Sequence, residues 1–470
     1  MRARKRIGNL WLLTLLAMTV LLASCSSADD NNSVQINDYC YIKSATLGNV
    51  TRKVDLYDRQ GNLINTRYAT FTGSSYPMTV DLRAGTIENR NPLPFGSQLS
   101  AVTVTIAFDG SLLRYRVKGS DADWKAYNAT DSLDLTRPLE LLLTSNDGQS
   151  SRTYTFTVHV HSQEGDSLYW NRCESEVAQL EGMTDMKAFT LADRLLVLGK
   201  KNIEGTDKVV LAGRTSIEAE GTWEEIPTTG LPVEADLQSL CQHDGILYLS
   251  TSDGSILSSV DAQTWQQVGV PHSAALTLFE RTDDYFYAYS EGKLLRSADA
   301  TTWDEEKLDS EPDKLPAYGI RALTMQQPNG NSRIVMVGQN DNYTNALVWN
   351  KMWNENEAEE DAEWMFFPLS PDNTIPCPRL SHLNLLEYDD KCIAFGGASA
   401  DGKRKALDGI YVSQDYGITW RPSTEIHMPI ELEGIEGCIA STVDTNNYIW
   451  IITNAQVWRG RLNRLGFAQQ

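Results

Sequence analysis

A chain of 470 residues is long enough for two or three domains with separate cores. Its 41 basic residues stand against 62 acidic ones, a formal charge of −21. That balance excludes nucleic-acid binding and electrostatic adhesion to anionic lipid, since both need a basic face; it leaves calcium binding and simple solubility open.

The chain opens on Arg2, Arg4, Lys5 and Arg6, followed by an apolar run from Leu10 to Leu22. The run is short for a membrane span and ends in small residues, the pattern of a cleaved secretory signal over residues 1–24. Leu22-Ala23-Ser24-Cys25 resembles the bacterial lipobox. The resemblance implies that cleavage leaves Cys25 first and that its thiol and amine take acyl chains, each buried methylene contributing about 0.8 kcal/mol to membrane anchoring. Residues 25–35 are polar and read as a flexible tether. Asp29 and Asp30 resemble the signal that carries some Gram-negative lipoproteins to the outer face of the outer membrane. The expected location is therefore the outer membrane, lipid-anchored at the cell surface, with the periplasmic face as the alternative. Loss of the four leading positive charges takes the mature chain to about −25. No other segment is long and apolar enough to cross a bilayer. The remaining cysteines, Cys40, Cys173, Cys241, Cys377, Cys392 and Cys438, fit no zinc spacing. Export permits disulfides, but most of these residues sit in apolar runs, so buried free thiols are at least equally expected.

Residues 36–163 read as one antiparallel β domain. Val102, Val104, Ile106 and Phe108 alternate with polar residues, as do Tyr154, Phe156, Val158 and Val160, the period of half-buried strands. Asn146-Asp147-Gly148 supplies a tight turn before the last strand. That strand, Arg152 to His161, is similar to the closing strand of immunoglobulin-like and cadherin-like modules, which implies a β-sandwich used as a spacer. His159 and His161 share one face of it, but such pairs are more often the polar side of a sandwich than metal ligands, and no metal is assigned.

Residues 164–470 repeat, and tryptophan marks the register. Asp244-Gly245 turns into the strand up to Ser250, Asp253-Gly254 turns into Ser255–Ser259, and Asp261-Ala-Gln-Thr-Trp265 closes the unit. The next unit has the same grammar, ending at Asp299-Ala-Thr-Thr-Trp303, 38 positions on. Trp223 lies 42 positions before Trp265, the pattern weakens around Trp364, and it returns at Ser413-Gln-Asp415-Tyr-Gly417-Ile-Thr419-Trp420. That segment resembles the Asp-box, S-x-D-x-G-x-T-W, with Ser259–Trp265 and Ser297–Trp303 as shortened versions. The resemblance implies hairpin ties on the rim of a β-propeller, with Asp261, Asp299 and Asp415 holding turn amides and the tryptophans packed between sheets. A kelch-like flavour appears at Phe395-Gly396-Gly397, off the kelch spacing. Roughly six blades are expected, near 186–227, 237–269, 276–307, 318–368, 380–424 and 434–462, with five or seven as alternatives. The last lacks a strand, which Ser167–Trp170 can supply, leaving no open edge.

The Asp-box raises an enzymatic reading, a sialidase-like glycoside hydrolase using the axial pocket. Enzymes of that kind resemble one another in an arginine triad, a tyrosine nucleophile paired with glutamate, and an acid/base aspartate. Their early R-I-P-like motif is absent. Arg321 and Arg379 are candidates to face the axis, without the family context, so no catalytic residue is assigned. Neither a P-loop, a G-x-S-x-G elbow nor an H-E-x-x-H motif occurs. The acidic stretch Glu355, Glu357, Glu359, Glu360, Asp361 and Glu363 lacks calcium-loop spacing and reads as a solvated hairpin insertion. Trp349, Trp353, Tyr343, Tyr285 and Tyr318 fall near strand ends, where aromatic faces would meet sugars or protein partners.

The whole arrangement resembles an uncharacterised family of Gram-negative, gut-anaerobe-type lipoproteins that pair an immunoglobulin-like domain with an Asp-box or kelch-like propeller. The all-β chain is accordingly expected to be a non-enzymatic binding or scaffold module for a glycan or envelope protein, with no cofactor and no nucleic acid. The alternatives are the axial hydrolase and a structural subunit of an outer-membrane complex.

Overall fold

The computed structural model describes residues 38–57, 62–218, 220–371, 373–424 and 426–466. The signal, Cys25 and the whole tether lie outside the described residues. The chain divides into two compact units, Met1–Thr51 with Thr70–Leu93 and Gln98–His159, and Arg52–Ala69 with Pro94–Ser97 and Val160–Gln470.

Strict alternation builds the first unit. Val102, Val104 and Ile106 are buried on Val102–Asp109, which pairs antiparallel with Tyr41–Leu47 on one side and Ser132–Leu133 on the other. A six-stranded sheet runs in the order Met78–Asp81, Thr86–Asn89, Ser151–Thr157, Leu139–Thr144, Leu112–Val117 and Lys125–Ala126. Leu139, Leu141 and Leu143 alternate inward, and Gly148 takes a φ of 70° in the turn to Ser151–Thr157. Two expectations are corrected. Ser151–Thr157 pairs in parallel with Thr86–Asn89, so the domain is not wholly antiparallel. The closing strand also stops at Thr157 instead of His161, because the buried Asn89 side chain takes both backbone groups of His159, at 2.7 and 2.9 Å. The His159 ring meets Glu88 at 3.1 Å.

Apolar runs build the second unit. Among its described residues are six four-stranded antiparallel sheets. The first is Thr184–Leu191, Arg194–Ile203, Thr206–Arg214 and Trp223–Ile226, and the second Cys241–His243, Ile246–Ser250, Ile256–Ser259 and Gln266–Val268. The third is Thr277–Arg281, Phe286–Ser290, Lys293–Ser297 and Asp304–Glu305, and the fourth Tyr318–Gln326, Ser332–Gln339, Leu347–Trp353 and Trp364–Phe366. The fifth is Asn384–Tyr388, Lys391–Phe395, Tyr411–Ser413 and Arg421–Pro422. The sixth joins Ile439–Val443, Ile449–Thr453 and Gln456–Leu462 to Leu168–Glu174, from before the first sheet.

Period two explains why these strands read as unbroken apolar runs: both faces are buried. Ile449 and Ile451 pack toward the fifth sheet, while Trp450 and Ile452 pack toward the first. Leu195 and Val197 face the sixth sheet, Leu196 and Leu198 the second. Similar cores lie between second and third, third and fourth, and fourth and fifth. Each sheet therefore packs on the sheets before and after it, and the sixth returns to the first. This is a β-propeller.

The tryptophan turns sit between these sheets. Asp415 accepts from Thr419 N at 2.8 Å, Thr419 Oγ1 at 2.7 Å and Ser413 Oγ at 2.8 Å, and Trp420 Nε1 donates to Gly417 O at 2.7 Å. Trp420 is 1% exposed, packed against Val335 and Val348 of the fourth sheet. Gly417 has a φ of 84° and its Cα lies where a Cβ would meet Val335 Cγ1 at 2.8 Å, so glycine is needed twice over. Asp261 accepts from the amides of Gln263 and Thr264, both at 2.8 Å, and these bonds, Thr264 foremost, hold its carboxyl below the usual range. Trp265 packs toward the first sheet. Asp299 ties Thr301 and Thr302 similarly, but Trp303 is half-buried. In the two shorter turns, Ala262 and Ala300 carry the positive φ.

Glu355, Glu357, Glu360, Asp361 and Glu363 of the acidic insertion are exposed, as expected of a solvated hairpin, with one exception. Glu359 is buried and accepts from Thr282 Oγ1 at 2.7 Å and Tyr287 OH at 2.8 Å, docking the insertion on the third sheet. Beside it the buried Glu306 binds Lys351 Nζ and accepts from Trp364 Nε1 at 2.8 Å. The described cysteines are all free, with Cys377 and Cys392 buried.

Truncating the fully packed tryptophan should cost most. Trp420→Ala is expected to lower unfolding free energy by about 3–5 kcal/mol in urea titration, and Trp303→Ala by less than half as much, because that ring is already partly in solvent. Equal losses would contradict the packing described.

Candidate functional site

The first strand of each sheet faces the axis, and neighbouring first strands pack on one another in succession. Between the first and second sheets the turn Leu237–Ser239 takes part in this ring. Three first strands slip register by one residue where they enter: between Thr184 and Lys187, between Leu278 and Glu280, and between Tyr318 and Arg321. Such a bulge re-aims the residue that follows it. Here the re-aimed residues Lys187, Glu280 and Arg321 line the axial space.

Two cavities occupy that space. One, of about 410 Å³, is lined near the strand entries by Asp185, Tyr318, Arg379, Ser381 and His382 among others. The second, of about 440 Å³, lies further along the strands, with Lys187, Cys241, Glu280, Arg281 and Thr324 in its wall. Arg321 and Gln238 line both. Arg321 Nη2 donates to Gln238 Oε1 at 2.8 Å, Nε to Leu383 O at 3.1 Å and Nη1 to Ile320 O at 2.8 Å. Gln238 Nε2 in turn donates to Met186 O at 2.9 Å and Asp185 Oδ1 at 3.1 Å. This polar bar ties the first, fourth and fifth sheets to the turn before the second.

Arg379 has a different setting. Its Nη2 meets Asp341 Oδ1 at 2.5 Å and Tyr318 OH at 3.1 Å, and its Nη1 donates to Tyr343 O at 2.9 Å. Tyr318 OH donates to the same Asp341 oxygen at 2.6 Å, which raises the phenol above its ordinary range. The Tyr318 ring remains 42% exposed. An exposed ring and a fixed guanidinium thus line the first cavity, both bonded to the adjoining Asp341 carboxylate. Asp261, Asp299 and Asp415 line neither cavity.

Burial governs the charges of the second cavity. It pushes the Glu280 carboxyl up to about 7 and Lys187 down to about 8, the latter helped by Arg321. It also raises Asp236 and the Cys241 thiol.

The sequence candidates separate. Arg321 and Arg379 share a cavity, as lining both residues' side chains, although Arg321 spends its donors on the protein. Trp349 is corrected as a ligand contact: it is 0% exposed, its Nε1 donates to Lys314 O at 3.0 Å, and its ring belongs to the core between third and fourth sheets. Trp353 packs partly on that same core. Tyr285 lies over the acidic insertion, with its hydroxyl at 3.3 Å from Glu360. Gln238, Lys187 and Glu280 were not singled out from sequence. Lys187 and Glu280 follow bulges in inner strands and Gln238 sits in the turn Leu237–Ser239, so their place at the axis becomes legible only in the folded chain.

Residues 164–470 match the DUF6242 beta propeller domain, and residues 45–158 match the DUF6242 N-terminal domain, a domain of unknown function. No curated protein matches the chain. Similar solved structures include an alpha-L-arabinanase of Penicillium chrysogenum complexed with arabinobiose, at 13% identity over 63% of this chain and 96% of that one, TM-score 0.37. Others are YjhT, at 12% identity over 61% and 95%, TM-score 0.38, and YCF48 from Cyanidioschyzon merolae, at 10% over 62% and 98%, TM-score 0.30.

The axial charges set a pH dependence. Glu280 is raised from 4.5 to about 7, so between these values the folded chain holds a proton that the unfolded chain has released, and stability falls as pH rises. Lys187 is lowered from 10.5 to about 8, so across that higher window stability rises with pH. Glu280→Gln should flatten the first decline, by at most about 3 kcal/mol, when chemical unfolding is followed across the window. An unchanged slope would assign the decline elsewhere.

Proposed function

The chain belongs to the two-domain DUF6242 family, and on that premise we propose that it is a non-enzymatic surface lipoprotein whose propeller binds a glycan. The observation that carries this reading is the mouth of the first cavity. Sugars are recognised by an aromatic face for their C–H surface and by planar polar groups for their hydroxyls. Tyr318 offers the ring, and Asp341 and Arg379 offer an acceptor and a fixed fork beside it. Their mutual bonds hold all three in place before a ligand arrives, which lowers the ordering cost of binding.

Several features support the rest of the reading. Six sheets with six intervening cores fit six blades, and the two sheets of the first unit fit an immunoglobulin-like spacer. The basic start, the apolar run and Cys25 fit a lipid anchor at the outer membrane. Catalysis is the weaker reading. Arg321 and Arg379 are the arginines lining the first cavity, and Arg321 is already bonded to three protein acceptors. A carboxylate-gripping triad would need those donors free. The large exposed apolar residues of this unit, such as Tyr169, Val260, Val270, Leu369 and Ile430, come from different sheets and connections.

A glycan array probed with the full chain tests the proposal. At least one glycan class should be retained, and both Tyr318→Ala and Arg379→Ala should weaken it about tenfold or more, as loss of an aromatic or arginine anchor does. Circular dichroism should be unchanged in both variants. A silent array, or binding indifferent to both substitutions, would reject the reading in favour of a protein partner, which pull-downs from the native envelope would then identify.

A further inference from the structure

The second axial cavity carries an unmet charge. Lys187, half-buried, lines it, and among the described residues its Nζ meets no hydrogen-bond acceptor. Arg281 also lines it, with its guanidinium stacked on Phe286 at 4.6 Å and its Nη1 donating to Thr282 O. The remaining guanidinium, Arg321, is held by Gln238, Ile320 and Leu383 and adds its positive field to that of Lys187. Opposite stands Glu280, 7% exposed, with one carboxyl oxygen accepting from Arg281 N at 3.0 Å. About 440 Å³ is room for a small organic molecule.

A half-buried ammonium without a protein partner gains from an acceptor that enters the cavity. We propose that this cavity is a binding site for a small organic carboxylate, held by Lys187 Nζ in the positive field of Arg321 and Arg281. It is independent of the glycan reading, which uses the other cavity. A carboxylate pairs with the Lys187 ammonium and neutralises the clustered positive field, which a neutral polyol does not. Glu280 decides the conditions. As a carboxylate it repels the ligand, and as a neutral acid it donates to it.

The proton therefore enters with the ligand. The groups facing Lys187 are Arg321, Cys241, Asp236 and Glu280, and those facing Glu280 are Lys187, Arg281, Thr324 and Glu359. Binding asks for a charged Lys187 and a neutral Glu280, so affinity should fall as pH rises through neutrality and beyond.

Isothermal titration of the full chain with acetate, lactate and D-glucuronate, and with D-glucose as the neutral control, tests this. At least one carboxylate should bind about tenfold or more tightly than D-glucose, and Lys187→Met should remove that preference. Glu280→Gln, which stays neutral, should keep the binding and flatten its pH profile. That variant decides the matter if Lys187→Met fails to fold. Absence of binding by all three carboxylates, equal binding by Lys187→Met, or an unaltered pH profile in Glu280→Gln would overturn the proposal. Because Tyr318 and Arg379 do not line this cavity, Tyr318→Ala and Arg379→Ala should leave carboxylate binding intact, which keeps the two readings separable.

Discussion

No sheet of the propeller can bury itself. Each has two apolar faces, and each face is covered only by a neighbour, so the stability of any one sheet depends on those on either side. The constraint explains the sequence as much as the fold. A strand such as Ile449–Thr453 has no polar side because no side of it meets water. Polar residues gather at the outer rim and the axis, while one charged pair, Lys351 and Glu306, is buried between the third and fourth sheets. At the rim they become turn ties, such as Asp261, Asp299 and Asp415. At the axis they become a wall of Lys187, Glu280, Arg321 and Gln238.

The axis is an interior where charge collects, and the protein handles it in two ways. Arg321 and Gln238 bond to each other and to backbone carbonyls, so their polarity is used up in holding sheets together. Lys187 and Glu280 are left in a cavity and shift toward neutrality, the usual response of charges with too little solvent. The first pair is architecture and the second is available for chemistry. The boundary between them is the same bar of atoms that separates the two cavities.

Sequence made the outer parts legible and the inner parts obscure. Turn residues are local: the geometry around Asp415 needs only Ser413, Gly417, Thr419 and Trp420, all within eight positions. Tryptophan spacing carries the repeat for the same reason. The axial site is assembled from residues far apart in the chain, and its side chains point inward because single-residue bulges change the strand's phase, which alternation alone cannot reveal. Trp349 shows the converse. A tryptophan near a strand end looks like a surface anchor, yet its strand is covered on both faces. Asn89 is a third case, a single side chain that ends a strand four residues before its pattern does.

The sixth sheet gives the ring a direction in time. Its strand Leu168–Glu174 is translated before every other strand of the propeller, and its partner Gln456–Leu462 after all of them. Until Gln456–Leu462 emerges, the earliest strand has nothing to zip onto, and the nascent propeller is an open crescent with a raw edge at each end. Closure is then a long-range event late in biogenesis, of the kind whose loop entropy slows folding. A chain truncated shortly before Gln456 would lose more than one strand, because the clasp that turns a row of sheets into a wheel would be missing.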